Sequence, residues 1–243
     1  GMSNLVYTST TSLTASDVDA TDTYTFAKSN FAGTTGEVGL QVSLVQSDAL
    51  FMQAYNAAKL GSPVAFTALK AAFLELISTP AIAAIVGASA TLSTLTADIT
   101  SASDFATLIN VINANSALSL SATSTSVTVT AEATALQTAT LEAIGAINIT
   151  VNTDGTYSLS TPLVNNLAEG EVAIITFGYT ATDNSGTATA TSDVKTVSLT
   201  VTGTNDTPTV SNVAVNVSES TFADVSGMSN LVYTSTTSLT ASD

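Results

Sequence analysis

The 243 residues are enough to bury a substantial core, as one large domain or two small ones. Charged residues make up only 9% of the chain, yet its formal net charge is −15, because the basic residues are four lysines (Lys28, Lys59, Lys70 and Lys195) with no arginine. Such a surface repels nucleic acid and anionic membranes, whose phosphates need clustered Lys and Arg, and it suits divalent cations, which need carboxylate oxygens. The absence of Cys and His excludes the usual zinc sites, a Cys nucleophile and any Ser-His pair.

Residues 1–31 read as β structure. LVYTSTTSLTASD and TYTFAKSNF alternate apolar and polar residues with a period of two. Gly1–Asp17 has neither a basic start nor an apolar centre, so it does not read as a signal peptide.

Residues 32–144 change character. Ser47–Leu60 places Leu50, Phe51, Ala54, Tyr55 and Ala58 at helical spacing, with Ser47 or Asp48 as its cap. Gly61-Ser62-Pro63 stops that helix and starts a second, whose stripe is Phe66, Leu69, Phe73, Leu76 and Ile77. Thr79-Pro80 starts a third, ending near Gly87. Ser103-Asp104 begins a fourth, with Phe105, Leu108, Ile109 and Ile112 on its apolar face, and Ala131–Ala143 reads as a fifth. GEVGLQVSLVQS and ALSLSATSTSVTVTA read as strands around these helices. Val64–Ala88 is the most apolar stretch, but Lys70, Glu75 and Pro80 interrupt it. A membrane span needs about 20 mostly uncharged residues, so a buried helical pair is expected and membrane insertion is not.

Residues 145–225 return to β. AINITVNTDGTYSLS is a hairpin around Asp154-Gly155. VAIITFGYTATDNSGTATATSDVKTVSLTVTG is a second, turning at Asp183–Gly186, and TNDTP (204–208) ends the strands before a new one, SNVAVNVSES.

The chain also repeats itself. GMSNLVYTSTTSLTASD occupies Gly1–Asp17 and recurs without a substitution at Gly227–Asp243, a period of 226 residues. Solenoid and propeller units run to about 20–50 residues, whereas this period is domain-sized. The expected parent is a string of near-identical domains.

The acids gather in short motifs at strand ends and loops. Asp17, Asp19 and Asp22 form DVDATD; Asp183 lies in TATDNSG, Asn205 and Asp206 in GTNDTP, Glu169 and Glu171 in LAEGE, and Glu219 in VSES. Calcium takes about six to eight oxygen ligands, so several such loops must converge to hold it. Taken singly, each motif is equally a turn built from turn-forming residues. Asp154-Gly155 and Asn184-Ser185 are assigned to turn chemistry alone.

In order, the segments VSES, SLTASDVDATDTYTF, INITVNTDGTYSLS and LAEGEVAIITFGYTATDNSGTATATSDVKTVSLTVTGTNDTP resemble the VCBS repeat of large bacterial surface adhesins. The resemblance covers residues 5–26, 145–210 and 211–243, and leaves out 32–144. It implies a mainly β fold with an α insertion: an immunoglobulin-like, cadherin-like Greek-key β-sandwich over 1–31 and 145–205, interrupted by a mostly helical subdomain over 32–144. Residues 206–243 would be the linker and the start of the next repeat.

The resemblance further implies a secreted, cell-surface adhesin repeat with calcium bound where neighbouring copies meet. Asn205 and Asp206 would be linker ligands. Asp17, Asp19 and Asp183, with Asp22 beside them, would lie in the top loops. Glu169, Glu171 and Glu219 would serve the other end, and Asp243 repeats Asp17 in the next copy. The expected role is a structural extender; the alternative is an adhesive module whose helical insertion contacts a glycan, a partner cell or another copy. The expected partners are neighbouring repeats, with a strand-exchange dimer through the C-terminal tail as a further expectation. For an enzyme the helical zone offers only the pairs Glu132 with Glu142 or Glu37 with Glu75, which nothing in the sequence brings together, so none is expected. Phe51, Tyr55, Phe66, Phe73 and Phe105 are expected in the core and not on a binding platform.

Overall fold

Strands form where apolar residues alternate, and helices where they recur every three or four positions. The computed structural model describes residues 5–19, 21–34, 36–87, 92–205, 208 and 210, and the backbone alone of 209, 223–224, 231–232 and 241–242. The chain divides into two compact units, Gly1–Thr204 and Asn205–Asp243.

The first unit opens with β1 (Leu5–Thr8), β2 (Tyr24–Ser29), β3 (Phe31–Gly33), β4 (Gly36–Val38) and β5 (Leu40–Gln46). Five helices follow: α1 (Ala49–Lys59), α2 (Pro63–Ser78), α3 (Pro80–Gly87), α4 (Leu92–Ser101) and α5 (Phe105–Ala114). Then come β6 (Leu118–Ala122), β7 (Val127–Ala133), α6 (Ala135–Ala143), β8 (Asn148–Val151), β9 (Tyr157–Thr161), β10 (Val172–Asp183) and β11 (Lys195–Thr202).

The largest sheet has the order β11-β10-β5-β7-β6, and all its pairings are antiparallel. Along one edge β10 pairs with β5 through Val172–Thr176 and then with β2 through Gly178–Asp183. A second sheet has the order β1-β9-β8. Its strands pack on β10: the Tyr157 and Phe177 rings meet edge to face at 5.9 Å, and Leu159 and Ile149 are buried in the same core.

The core lies on one face of the large sheet. Leu40, Val42 and Leu44 of β5 sit opposite Ala133, Ala131 and Val129 of β7, and all six are buried. The helices pack on that face too, with Leu69, Phe73, Ile82, Ile85, Ile99, Leu108 and Ile112 at no more than 0% exposure. Each such buried side chain contributes about 1.5–3 kcal/mol. Phe51 meets Phe73 at 5.9 Å and Tyr55 meets Phe105 at 5.2 Å, so these rings are spent on packing.

The helix ends follow their capping residues. Asp48 accepts from the N–H groups of Leu50 and Phe51, both at 2.9 Å, and Asp104 accepts from Thr107 N–H at 2.8 Å. Ser62 caps α2 with Pro63 in its first turn, and Thr134 with Gln137 forms a capping box on α6. Among the described residues no single helix is long and apolar enough to cross a membrane; α2 and α3 pass that test only together, bent by 73°.

Three expectations shift. The alternation after Thr8 is not a continued ladder: Ser9–Asp17 runs past the β8–β9 turn, where Leu13 N–H donates to Gly155 O at 2.9 Å. Gly155 has φ +81°, and a Cβ there would meet Leu13 O at 2.8 Å. The expected helix over 131–143 begins only at Ala135, because the Val-Thr alternation of β7 runs to Ala133. Helix α4 has no clear signature in the sequence, because its Thr and Ser residues dilute the stripe of Leu95 and Ile99.

In the second unit, β12 (Thr209–Val210) pairs with β15 (Ala241–Ser242), and β13 (Ala223–Asp224) pairs with β14 (Leu231–Val232).

Candidate metal centre

Strand β10 outruns its neighbour β11, whose ladder with it closes at Tyr179 opposite Lys195. Beyond that point β10 continues beside β2 until Asp183 faces Tyr24. The chain turns at Asp183–Gly186 and comes back through a bridge between Thr182 and Thr191. The loop leading into β2 ends at the same place. Thus the DVDATD and TATDNSG segments, far apart in sequence, share one end of the sheet.

Asp17, Asp22 and Asp183 each bring a carboxylate oxygen to within 4.8 Å of the others. Local hydrogen bonds shape the two loops. Asp17 Oδ1 accepts from Val18 N–H, and Asp22 N–H donates to Asp19 O at 3.1 Å. Asp183 Oδ1 accepts from Ser185 N–H at 2.7 Å. Asn184 Oδ1 accepts from Thr23 N–H at 2.9 Å, which ties the loops together. Asn184 reads from the sequence as a turn residue alone; its link spans 161 positions, and no local pattern announces it.

The charges respond to this crowding. Desolvation, then the charges of Asp183, Asp19 and Asp17, raises the Asp22 pKa above its ordinary 3.8. The Ser185 hydroxyl and backbone N–H lower that of Asp183. Tyr24 is raised by desolvation first and then by Asp17, so its ring lies beside the acids. Asp19 is exposed and stands outside the trio, though close enough to act on Asp22.

The remaining candidates lie elsewhere. Glu169 and Glu171 precede Val172, at the opposite end of β10, about 36 Å away along a 12-residue strand. Glu171 accepts from Ala168 N–H at 2.9 Å and from Gln46 at 3.4 Å, while Glu169 is exposed. Asn205 is exposed and belongs to the second unit. Asp206, Glu219 and Asp243 lie outside the described residues. Asp154 accepts from the Thr156 N–H and hydroxyl at 2.9 and 2.7 Å, which lowers its pKa and makes it a turn residue.

The four acids weighed for catalysis stand on four separate elements: Glu37 on β4, Glu75 on α2, Glu132 on β7 and Glu142 on α6. Glu142 pairs with Lys28 of β2, and Glu37 accepts from Asn30 at 3.4 Å. Glu75 is exposed on α2. Glu132 is buried at 3% exposure and accepts from Thr34 and Gln41.

The trio offers oxygen donors only, with three negative charges at close range and solvent on one side. That donor set fits a hard divalent cation such as calcium, which tolerates several carboxylates and fills its shell with carbonyls and water. A cation would also offset the mutual repulsion that raises the Asp22 pKa. Comparisons of the chain with family models, curated proteins and solved structures returned no match.

Proposed function

We propose that this chain is a calcium-binding extender repeat of a secreted bacterial surface adhesin, spacing a distal binding module away from the cell. The observation that carries the reading is the convergence of Asp17, Asp22 and Asp183 at one end of the β10 sheet. The pairing of strands supports an immunoglobulin-like reading of the fold. With β1, β2, β8, β9, β10 and β11 taken as strands B, C, D, E, F and G, the sheets B-E-D and C-F-G are those of such a sandwich. The acids then occupy the B–C and F–G loops, both at the top. Residues 32–144 enter between C and D, and the insertion lends β5, β6 and β7 to the C-F-G sheet.

A domain-length period with 17 identical residues favours a spacer, because no copy then needs a site of its own. An ion at the top loops neutralises carboxylates that would otherwise repel a neighbouring copy's acids, and so stiffens the joint. The inward rings of Tyr55 and Phe73 favour the extender over an adhesive helical surface.

Thermal unfolding with millimolar calcium, and again with excess chelator, tests this. A ligand at 100 times its Kd adds about 2.7 kcal/mol, or roughly 5–10 °C for a chain of this size. Asp17→Ala and Asp183→Ala are expected to abolish the difference. An equal midpoint with and without calcium in the unaltered chain, and in a two-repeat chain, would reject the reading.

A further inference from the structure

We propose that β9 accepts residues 231–234 of a second copy of this chain in place of its own β1, so that copies join by strand exchange. Among the described residues strand β1 is held from one side: it pairs with β9, from Leu5 opposite Thr161 to Thr8 opposite Ser158. Its outer residues are open, with Leu5 at 41%, Val6 at 68% and Tyr7 at 42% exposure. Its other ties among the described residues are these. Ser9 N–H donates to Tyr157 O at 2.9 Å, Tyr157 N–H to the Ser9 hydroxyl at 2.9 Å, and Leu13 N–H to Gly155 O at 2.9 Å, while the Tyr7 ring meets that of Tyr157 at 6.1 Å.

Every residue that β1 and the loop after it contribute to these contacts recurs 226 positions later. Leu231, Val232, Tyr233, Thr234, Ser235 and Leu239 stand where Leu5, Val6, Tyr7, Thr8, Ser9 and Leu13 stand in the first copy. A segment of identical sequence offers β9 identical contacts, so exchange is neutral in contact energy. Leu231–Val232 must leave its partner Ala223–Asp224, a two-residue backbone pairing of the kind that is marginal in water by itself.

Concentration then decides. The chain's own β1 is tethered through the 15 residues before β2, an effective concentration in the millimolar range. A second copy at about 0.1 mM therefore captures roughly a tenth of the β9 edges, and at about 1 mM roughly half. This consequence rests on the function proposed above: repeats crowded in adjacent arrays on one surface would reach that upper range and be linked side by side.

The chain has no cysteine, so an introduced disulfide reports directly. Because Ser9 bonds to Tyr157, the Val6–Ser160 pair is an unbonded one, where Cα atoms lie about 4.5 Å apart and a disulfide closes without strain. Val6→Cys with Ser160→Cys serves as the control and should close within one chain. Val232→Cys with Ser160→Cys is then oxidised mildly over a range of concentrations. The expected result is a covalent dimer bridged 232 to 160, with a yield that rises about sevenfold from 0.05 to 0.5 mM, as competition with a tether of about 1 mM requires. A chain that stays reduced while the control closes overturns the proposal. So does a 232–160 bridge confined to one chain, and so do dimers bridged 232–232 or 160–160, which report collision only.

Discussion

Glu132 is the least expected feature of the large sheet, and its replacement should be costly. It sits on β7 opposite Gln41 of β5, on the face turned away from the main core. The β3–β4 hairpin folds over it: a Cβ on Gly33 would lie 2.8 Å from Glu132 Oε2. Its carboxylate accepts from Thr34 N–H at 3.1 Å, Thr34 Oγ1 at 2.9 Å and Gln41 Nε2 at 2.9 Å. Hydrogen bonds to a charged group contribute about 1.5–3 kcal/mol each, and a buried donor left unpaired costs about 1–3 kcal/mol. Against this, removing the carboxylate also removes the cost of burying it. For Glu132→Ala the balance is about 2–4 kcal/mol of lost stability. Glu132→Gln keeps the shape and one acceptor oxygen, and should lose about 1–2 kcal/mol. Urea unfolding followed by circular dichroism reads both, with the slope against urea unchanged. If Glu132→Ala lies within about 0.5 kcal/mol of the parent, the carboxylate does not fasten the hairpin and the reasoning fails.

Asp22→Asn should have opposite effects with and without calcium. The raised Asp22 pKa means that its charged form is disfavoured by folding, so in chelator the variant's midpoint should rise at neutral pH, while the calcium-dependent increment shrinks. A fall in chelator would contradict this. Acid should destabilise the chain for the converse reason: Asp104, Asp154 and Asp183 have lowered pKa values, so their contribution is complete above the unfolded value of 3.8 and is lost as pH falls through the folded ones. Asp104→Asn keeps the cap on α5 and should change the midpoint little at neutral pH, yet lose less stability than the parent below about pH 4. Parallel acid limbs in parent and variant would refute that assignment. Gly155→Ala should lower the midpoint, because the positive φ and the approach of Leu13 both oppose a Cβ; an unchanged midpoint would show that the turn relaxes freely.

Much of the local structure was legible in the residues. Asp48, Ser62 and Asp104 marked helix starts, and Asp154-Gly155 marked the β8–β9 turn, because capping and turn chemistry act over three or four positions. What the sequence could not convey is pairing between distant strands. Nothing in GLQVSLVQ says that β5 lies between β10 and β7, joining the helical zone to the sheet of the flanking β segments. The candidate site divides in the same way. The resemblance set the acids of DVDATD and TATDNSG together in the top loops, but the tie from Thr23 to Asn184, the nearness of Tyr24 and the place of Asp22 in the trio instead of Asp19 depend on β10 running past β11 alongside β2. Glu132 reads from the sequence as the start of a helix over 131–143; its burial on β7 beneath the β3–β4 hairpin depends on the pairing of β7 with the distant β5.

Terbium luminescence tests the central claim most directly. Terbium substitutes for calcium and emits when a nearby aromatic ring passes it energy. The chain has no Trp and six Tyr, of which Tyr24 lies beside the acid trio. An ion held by Asp17, Asp22 and Asp183 should give saturable emission that calcium displaces, and that both Tyr24→Phe and Asp183→Ala remove, with Tyr24→Phe leaving calcium-dependent stability in place. Emission that survives both substitutions, or that calcium does not displace, would contradict an ion at this end of the sheet.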